Sequence, residues 1–508
     1  MILKTISLCP ACLKKINAEV FEEDNKIIIE KECPEHGKFR DIYWNDSELY
    51  KKYNKYEYIG NGIKNPNTEV KEGCPFDCGL CPNHKSTTIL ANLDVTNRCN
   101  LNCPICFANA NRTKKIYEPS IEEIKKMMIN LRSEEVPCPA IQFAGGEPTV
   151  RDDLPELIKI AKDLGFTHVQ VATNGIKLKN IAYIKKLKEA GLSTIYLQFD
   201  GLTEKPYLIA RNKNLLPLKL KVIENCRKAN FNSVVLVPTL VKGINDDQIG
   251  NIIRFAAKNR DVVRNVNVQP VSFTGRIDEN KRLEQRITIP DFIKLVEEQT
   301  NGEILREDFY PVPFVVPISL FVELWENRQV VKLGAHQHCG AATYVFVEND
   351  ELIPITRFFD VEGFIELLKE VYDDHQNKSN ELSRIEKGKI LLKITKELPN
   401  LVDSSKTPSN VKFTETLIKI LKGDYNALSK FHFNTILIGC MHFMDPYNFD
   451  AKRVQRCVIH YALPDNKIIP FCTYNTIYRQ ELEDKYSIPI EEWKKRKKNN
   501  DIFYSKKY

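Results

Sequence analysis

The stretch DVTNRCNLNCPICFANA, residues 94–110, places three cysteines within eight residues of a polar segment. They are Cys99, Cys103 and Cys106, which gives the spacing CX3CX2C. A 4Fe–4S cluster normally takes four thiolates, one for each iron. Three thiolates in one loop would hold three irons and leave the fourth iron open to an outside ligand. The spacing therefore predicts a cluster whose fourth iron is free to bind a ligand. A structural zinc site completed by a distant residue is the alternative.

Strands and helices alternate through the region that contains this stretch. Apolar runs of strand length are separated by amphipathic segments such as SIEEIKKMMINLRSE and DLPELIKIAKDLG. The six runs cover residues 87–95, 140–145, 168–175, 193–201, 232–241 and 262–271. Strands that alternate with helices pair in parallel through right-handed crossovers. The pattern predicts an α/β fold, either a doubly wound sheet or a barrel.

Polar motifs follow four successive strands of this pattern: TNRCN, GGEPT, TNG and DG. In both architectures, ligands bind at the carboxyl ends of parallel strands. The sequence therefore predicts that the four motifs face one pocket.

Composition limits the class of protein. The 508 residues predict three domains, which we place at 1–86, 87–300 and 301–508. The net charge of +7 is spread along the chain and favours no nucleic-acid partner. There is no leader and no apolar run of the roughly 18 residues that span a bilayer, so we expect a cytoplasmic protein. In that reducing compartment, 15 cysteines indicate metal or redox sites rather than disulfides.

Two motifs near the N-terminus, CPAC and CPEH, have the form of metal knuckles. Their ligands Cys9, Cys12, Cys33 and His36 predict one mononuclear zinc or iron site. A rubredoxin-like iron with Cys74 as a fourth cysteine is the alternative.

Further cysteines predict auxiliary clusters. GCPFDCGLCPNH repeats the CX3CX2C spacing, so we interpret Cys74, Cys78 and Cys81 as ligands of an auxiliary 4Fe–4S cluster. Four cysteines of the C-terminal region predict a second one, with four free buried thiols as the alternative. These are Cys339, Cys440, Cys457 and Cys472. We expect Cys138 and Cys226 to be core residues.

The segment FYPVPFVVPISLFVELW, residues 309–325, is almost free of charge. Pro311, Pro313 and Pro317 predict an irregular conformation rather than a helix or a central strand. Such a segment could line a groove for a hydrocarbon chain or lie at a membrane surface. The alternative is a buried connector packed on the barrel.

The middle of the chain, residues 87–289, resembles the radical S-adenosylmethionine (SAM) superfamily. The resemblance rests on the CX3CX2C loop, on Phe107 after it, and on GGEP at Gly145–Pro148. It implies a partial (β/α)6 barrel, flanked here by cysteine-rich metal-binding domains at both ends. It also implies that S-adenosyl-L-methionine binds the open iron and is cleaved by reduction to a radical that abstracts hydrogen.

The resemblance also implies roles for individual residues. Cys99, Cys103 and Cys106 would hold the cluster, and Gly145, Gly146 and Glu147, followed by Pro148, would contact the methionyl amine. Four polar residues at the strand ends are candidates for the ribose: Thr173, Asn174, Gln198 and Asp200. No catalytic acid or base is assigned, because hydrogen abstraction by a radical needs none.

The ordered set of motifs, from CPAC through CPEHG and GCPFDCGLCPNH to the C-terminal cysteines, resembles the archaeal tetraether synthase family. That resemblance implies three 4Fe–4S clusters and a rubredoxin-like mononuclear iron, although His36 stands where a strict rubredoxin site has cysteine. It implies carbon–carbon bond formation between isoprenoid chains of archaeal diether phospholipids, with a low-potential electron donor and contact with the membrane surface.

Two other functions stay open. A radical methyltransferase acting on a pterin would need a compact polar pocket, where a lipid enzyme needs a long apolar tunnel. An iron–sulfur electron carrier would leave GGEP and the open iron unexplained.

Overall fold

The computed structural model describes residues 2–376, 381–409, 411–421 and 425–496, so the end of the predicted C-terminal domain, 497–508, lies outside the described residues. The chain begins with four strands and a helix: β1 Leu3–Leu8, β2 Lys15–Glu23, β3 Lys26–Cys33, β4 Gly37–Trp44 and α1 Ser47–Asn54. The strands form an antiparallel sheet in chain order. Consequently, the β1–β2 and β3–β4 turns lie at the same end of the sheet.

Six parallel strands follow: β5 Leu90–Thr96, β6 Ala140–Gly145, β7 His168–Thr173, β8 Thr194–Gln198, β9 Val234–Val237 and β10 Val263–Pro270. Each strand pairs with the next along the chain. The intervening helices are α2 Ile121–Arg132, α3 Leu154–Asp163, α4 Ile181–Glu189, α5 Lys205–Arg211, α6 Leu216–Lys228, α7 Ile249–Lys258 and α8 Ile289–Gln299. This confirms the predicted α/β fold, and Cys138 and Cys226 are core residues as expected.

The C-terminal region extends the same sheet at both edges. Its strands are β11 Gly340–Glu348, β12 Thr435–Met441, β13 Ile459–Ala462 and β14 Ile468–Pro470. Strand β12 runs parallel to β10, and β13 runs parallel to β5. Strands β11 and β14 add antiparallel edges. The six-stranded barrel is therefore flanked by a further parallel strand on either side, and the predicted domain boundaries stay a prediction.

The remaining elements are smaller strands and the C-terminal helices. The helices are α9 Val316–Glu326, α10 Val361–His375, α11 Arg384–Glu397, α12 Phe413–Leu421, α13 Tyr425–Asn434 and α14 Arg479–Tyr486. The strands are Lys115–Ile116, Thr239–Leu240, Tyr310–Pro311, Glu351–Pro354 and Ile488–Pro489. None of the helices in the described ranges is long and apolar enough to cross a membrane.

The irregular conformation predicted for residues 309–325 is wrong in its second half, where α9 is a regular helix. Pro317 lies in the first turn, where backbone N–H groups have no partner within the helix. Phe321 and Trp325 stack with ring centroids 5.7 Å apart and pack in a second apolar core. The segment is a connector, and none of its residues, all within the described part of the chain, lines the barrel cavity.

A buried ion-pair network docks the N-terminal sheet on the barrel. The guanidinium of Arg286 donates to Asp41 of β4 at 2.7 Å and to Asp445 of the loop after β12 at 2.6 Å. All three side chains are at most 2% exposed. Arg286 therefore compensates the buried charge of both carboxylates, and Arg282 adds a second ion pair to Asp41.

We expect Arg286→Met to weaken this docking strongly, because it leaves two buried carboxylates without their shared partner. The opening free energy of the amides in β1–β4, measured by hydrogen exchange, should fall by about 3–5 kcal/mol. Arg227→Met removes an exposed pair with Asp261 and should cost at most about 1 kcal/mol. If the two variants lowered the opening free energy equally, the Arg286 ion pairs would not be what docks the N-terminal sheet on the barrel.

Candidate active site and metal centres

The barrel encloses a cavity of about 800 Å³. The three cysteines of the CX3CX2C loop line it, together with Gly145, Gly146, Glu147, Thr173, Asn174 and Gln198. The structure therefore brings the predicted loop and three of the predicted strand-end motifs to one cavity.

The cysteine loop is held in shape by two residues that sequence reasoning missed. Asn111 accepts a hydrogen bond from the amide of Cys99 and donates one to the Cys99 carbonyl, both at 3.1 Å. Arg276 exchanges two backbone hydrogen bonds of 2.9 Å with Cys106, and its guanidinium donates to the Cys103 carbonyl at 2.9 Å. No sequence pattern marks Arg276, because it reaches the loop from beyond the last barrel strand.

The chemistry of the three thiols fits a 4Fe–4S cluster. Burial raises the pKa of Cys99 to about 12 and also raises the pKa of Cys103, where the nearby Arg211 guanidinium opposes the rise. Metal coordination deprotonates such thiols outright. Three soft donors that share a cavity wall match a cluster with one iron left open.

Positions 145 and 146 require glycine because their backbone lies against the backbone of the segment before Cys99. Gly145 has a φ of +118°, and an added Cβ would lie 2.3 Å from the Thr96 carbonyl oxygen. A Cβ on Gly146 would lie 2.3 Å from the Arg98 carbonyl oxygen. The amides of Gly146 and Glu147 donate to these two carbonyls at 2.7 and 2.8 Å. The motif is thereby clamped to the segment that leads into Cys99.

Glu147 lines the cavity with a buried, oriented carboxylate. Its Oε1 accepts a hydrogen bond from the Thr173 hydroxyl at 2.7 Å, and its Oε2 accepts one from the Asn174 amide at 2.7 Å. Pro148 follows at the start of a short 3-10 helix. Thr173 and Asn174 thus position Glu147, and their predicted contact with a ribose stays a prediction.

Asp200 and Gln198 are tied to two buried cations that the sequence did not reveal. The Arg211 guanidinium donates to Asp200 at 2.7 and 2.9 Å. Nζ of Lys219 donates to Oε1 of Gln198 at 2.7 Å, and burial lowers the pKa of Lys219 to about 7. Gln198 and Arg211 line the cavity, whereas Asp200 lies behind its wall. The predicted contacts of Gln198 and Asp200 with a ribose stay predictions, and the structure places the Asp200 carboxylate on Arg211.

Aromatic side chains form one wall beside the cysteine loop. Phe107 stacks on Phe471 with centroids 5.5 Å apart, and Phe471 stacks on Phe443 at 4.0 Å. Tyr461 packs against Phe471 at 5.2 Å. Apart from Phe107, this wall comes from the C-terminal region, so the sequence alone did not predict it.

The inner face of the barrel carries both polar and apolar side chains. Polar side chains alternate with apolar ones along the strands and project into the cavity. They include Asn92, Gln142, His168, Gln170, Thr194, Tyr196, Ser233, Asn265, Asn267 and Gln269. A cavity of this size with amide and hydroxyl groups in its wall fits a small heterocycle better than a long hydrocarbon chain.

The mononuclear metal site is assembled from two turns at one end of the N-terminal sheet. The ligand atoms of Cys9, Cys12, Cys33 and His36 all lie within 4.8 Å of one another. Nδ1 of His36 is 3.5 Å from Sγ of Cys33 and 3.7 Å from Sγ of Cys9. This set of three thiols and one imidazole fits zinc or iron, and it does not need Cys74.

Cys74, Cys78 and Cys81 line a second, small pocket together with His84. Burial raises the pKa of Cys74 to about 12, and the neighbouring Cys81 adds to the rise. The three predicted ligands are therefore close together, and the cluster itself stays a prediction.

The C-terminal cysteines do not form the predicted set of four. Cys457 and Cys472 lie close enough to Cys339 for its charge to raise the pKa of both thiols. Both also pack in the same apolar cluster as Cys78. The prediction that Cys440 is a cluster ligand is wrong. Alternate residues of β12 face the cavity, and the side chain of Cys440 points the other way, into the main core. The structure brings three of the four together.

We expect Cys33→Ser to remove one mononuclear metal ion per chain, because it deletes one of four ligands. Metal content measured by mass spectrometry of the anaerobically purified protein checks this. Cys226→Ser, a buried core cysteine on α6, should keep full metal content. Unchanged zinc and iron in Cys33→Ser would contradict the site.

Two family models match the chain. The radical SAM superfamily matches residues 93–256, and the HMPTM N-terminal zinc ribbon domain matches residues 1–45. The first covers the cysteine loop and most of the barrel, and the second covers the four N-terminal ligands.

Similar proteins include a 7,8-dihydro-6-hydroxymethylpterin dimethyltransferase of Methanocaldococcus jannaschii, 66% identical over 97% of both chains. A GTP 3′,8-cyclase of Peptoclostridium acidaminophilum is 25% identical over 57% of this chain and 89% of its own. Among solved structures, Streptococcus suis SuiB bound to precursor peptide SuiA covers 58% of this chain and 69% of its own, with 14% identity and a TM-score of 0.37.

The first relative corrects the expected membership of the tetraether synthase family, which is wrong. The diether phospholipid substrate and the membrane contact were implied by that resemblance and fall with it. The structure agrees with this correction, because amide and hydroxyl groups lie in the cavity wall and none of residues 309–325, which the structure describes in full, lines the cavity. With two thirds of its residues identical to that relative over nearly its whole length, the chain belongs to the radical SAM family of the M. jannaschii 7,8-dihydro-6-hydroxymethylpterin dimethyltransferase.

Proposed function

We propose that this protein is a radical SAM methyltransferase that adds methyl groups to 7,8-dihydro-6-hydroxymethylpterin. The observation that carries the proposal is the 66% identity over 97% of both chains with the relative of that name. The compact cavity, whose wall includes several amide and hydroxyl side chains, supports a pterin-sized heterocycle. The alternative function raised by the sequence thus replaces the lipid one.

Cys99, Cys103 and Cys106 would hold the 4Fe–4S cluster, which together with S-adenosylmethionine supplies reductive cleavage of a sulfonium and hence a carbon radical. Glu147 is placed to accept hydrogen bonds from an ammonium group at the cavity wall. Because Thr173 and Asn174 fix its two oxygens, this carboxylate is oriented before the cosubstrate arrives.

The chain's own residues also shield the cavity from water. The aromatic wall of Phe107, Phe443 and Phe471 closes one side. Arg479 at the start of α14 lines the cavity and forms a buried ion pair with Asp94 of β5 at 2.6 Å. This closure protects a reactive radical from quenching.

Auxiliary clusters remain part of the proposal. Cys74, Cys78 and Cys81 form the better-defined candidate site, because they share one small pocket. Cys339, Cys457 and Cys472 form the other, and Arg453 donates a hydrogen bond to Sγ of Cys339 at 3.4 Å. An electron donor of low potential would supply both the barrel cluster and these sites.

We expect the reconstituted, reduced protein to convert 7,8-dihydro-6-hydroxymethylpterin into products heavier by one and two methylene units, with pterin-dependent formation of 5′-deoxyadenosine. Anaerobic incubation with S-adenosylmethionine, with and without a separate one-carbon donor, followed by mass spectrometry measures both. Formation of one S-adenosylhomocysteine for each methyl group transferred would identify a further S-adenosylmethionine as the methyl source. Cys103→Ala should abolish both products, because it removes a cluster ligand, whereas Cys226→Ser should retain them. Unmethylated pterin together with pterin-independent 5′-deoxyadenosine would contradict the proposal.

We expect Thr173→Val to raise the KM for S-adenosylmethionine about tenfold with little change in kcat, since it removes one of the hydrogen bonds that orient Glu147. Initial rates of 5′-deoxyadenosine formation at varied cosubstrate concentration provide the test. Thr167→Val, which removes an exposed hydroxyl just before β7, is the matched control and should leave KM unchanged. A normal KM in Thr173→Val would show that this contact does not prepare the site.

A further inference from the structure

Three carboxamides form a hydrogen-bonded ladder across the inner face of the barrel. Nε2 of Gln170 donates to Oε1 of Gln142 at 2.7 Å, and Nε2 of Gln142 donates to Oδ1 of Asn92 at 2.6 Å. The three residues are in register on the neighbouring strands β7, β6 and β5. All three are at most 9% exposed and line the cavity.

The ladder leaves hydrogen-bonding capacity unused at its centre. A carboxamide has two N–H donors and two acceptor lone pairs. In the ladder, Gln142 uses one of each, so one donor and one acceptor remain side by side on a group that lines the cavity. Burying polar groups without partners is costly, and barrels of parallel strands are ordinarily filled by branched apolar residues.

A second set of hydrogen-bonded polar side chains also lines the cavity. The hydroxyl oxygen of Tyr196 accepts hydrogen bonds from Nδ2 of Asn267 and from Nε2 of Gln269, the latter at 3.0 Å. These two bonds occupy the oxygen's lone pairs and leave its O–H group to donate. Nearby, the buried Oδ1 of Asn265 has no hydrogen-bond partner within the described protein. The inner face therefore offers several unpaired donors and acceptors.

Carboxamide side chains pair bidentately with heterocycle edges that place a donor beside an acceptor, as glutamine and asparagine do with adenine. The pyrimidine ring of a pterin presents an amino group, ring nitrogens and an oxo group along such an edge. Gln142 lies three residues before Gly145 on β6, a rise of about 10 Å. A bicyclic ring seated on the ladder would thus extend toward the cysteine loop at the cavity mouth.

We propose that Asn92, Gln142 and Gln170 form the subsite that binds the pyrimidine edge of the substrate, with Gln142 making the bidentate contact. This inference rests on the proposed function and adds to it the part of the barrel that determines substrate specificity. The ladder holds each amide in one orientation, so the donor and acceptor of Gln142 are fixed before the ligand binds.

The test measures binding to the reconstituted holoprotein with S-adenosylmethionine present, using quenching of the fluorescence of oxidised 6-hydroxymethylpterin. Gln142→Met keeps the length of the side chain and removes both hydrogen-bonding groups. We expect it to weaken pterin binding at least about tenfold. Gln248→Met is the matched control, because Gln248 is buried and binds Leu202 and Asp247 outside the cavity.

Comparing two ligands on the same protein separates loss of the Gln142 contact from a general loss of folded protein, because misfolding would weaken the binding of both ligands. The 2-desamino analogue, 6-hydroxymethyllumazine, replaces the amino group with an oxo group. Wild-type protein should bind it about tenfold more weakly than the pterin, and Gln142→Met should bind the two equally. If Gln142→Met does not fold, Gln170→Met, which removes the donor that orients Gln142, takes its place with the same expectation.

The outcomes separate this subsite from the proposed function. Selective loss of pterin affinity in the ladder variants, with Gln248→Met unchanged, supports it. Unchanged pterin affinity in Gln142→Met, or equal loss in Gln248→Met, overturns the subsite while wild-type methylation upholds the proposed function. Wild-type protein that neither binds nor methylates the pterin overturns both.

Discussion

Two short backbone hydrogen bonds, from Gly146 to Thr96 and from Glu147 to Arg98, hold together the parts on which this site depends. They join the end of β6 to the segment that leads into the cysteine loop. A side chain at Gly145 or Gly146 would disturb these bonds, because its Cβ would overlap the Thr96 or the Arg98 carbonyl oxygen, respectively. The position of Glu147 relative to Cys99 is therefore set by the backbone, before any side chain contributes.

Along each barrel strand, side chains point alternately outward, where they stabilise the fold, and inward, where they can contact a ligand. Outward-facing residues such as Ile141, Phe143 and Val169 pack in the main apolar core. Inward-facing residues include amides, hydroxyls and a phenol, with apolar side chains among them. The outer face stabilises the fold, and the inner face is free to recognise a ligand. Substitutions on the inner face can thus change the substrate while the core stays intact.

The sequence predicted the six strands, their parallel pairing, the cysteine loop and the N-terminal metal ligands because each depends on local periodicity or spacing. It did not predict that Arg211 binds Asp200, since helix and strand meet only in the folded barrel. Polar residues at matching inward-facing positions of β5 to β7, namely Asn92, Gln142 and Gln170, were an available signal for the amide groups in the cavity wall. The lipid hypothesis gave weight to an apolar segment with three prolines, although proline in a first turn is compatible with a helix.

The two outer parallel strands, β12 and β13, have a consequence for biosynthesis. Strand β13 pairs Ile459 with Leu90, residues that are far apart in the chain. A ribosome that has completed the radical SAM core has therefore not yet made either flanking strand, nor the phenylalanines beside Phe107. Contacts of such long sequence separation form late. The aromatic wall beside the cysteine loop is therefore complete only when the C-terminal region has folded onto the core.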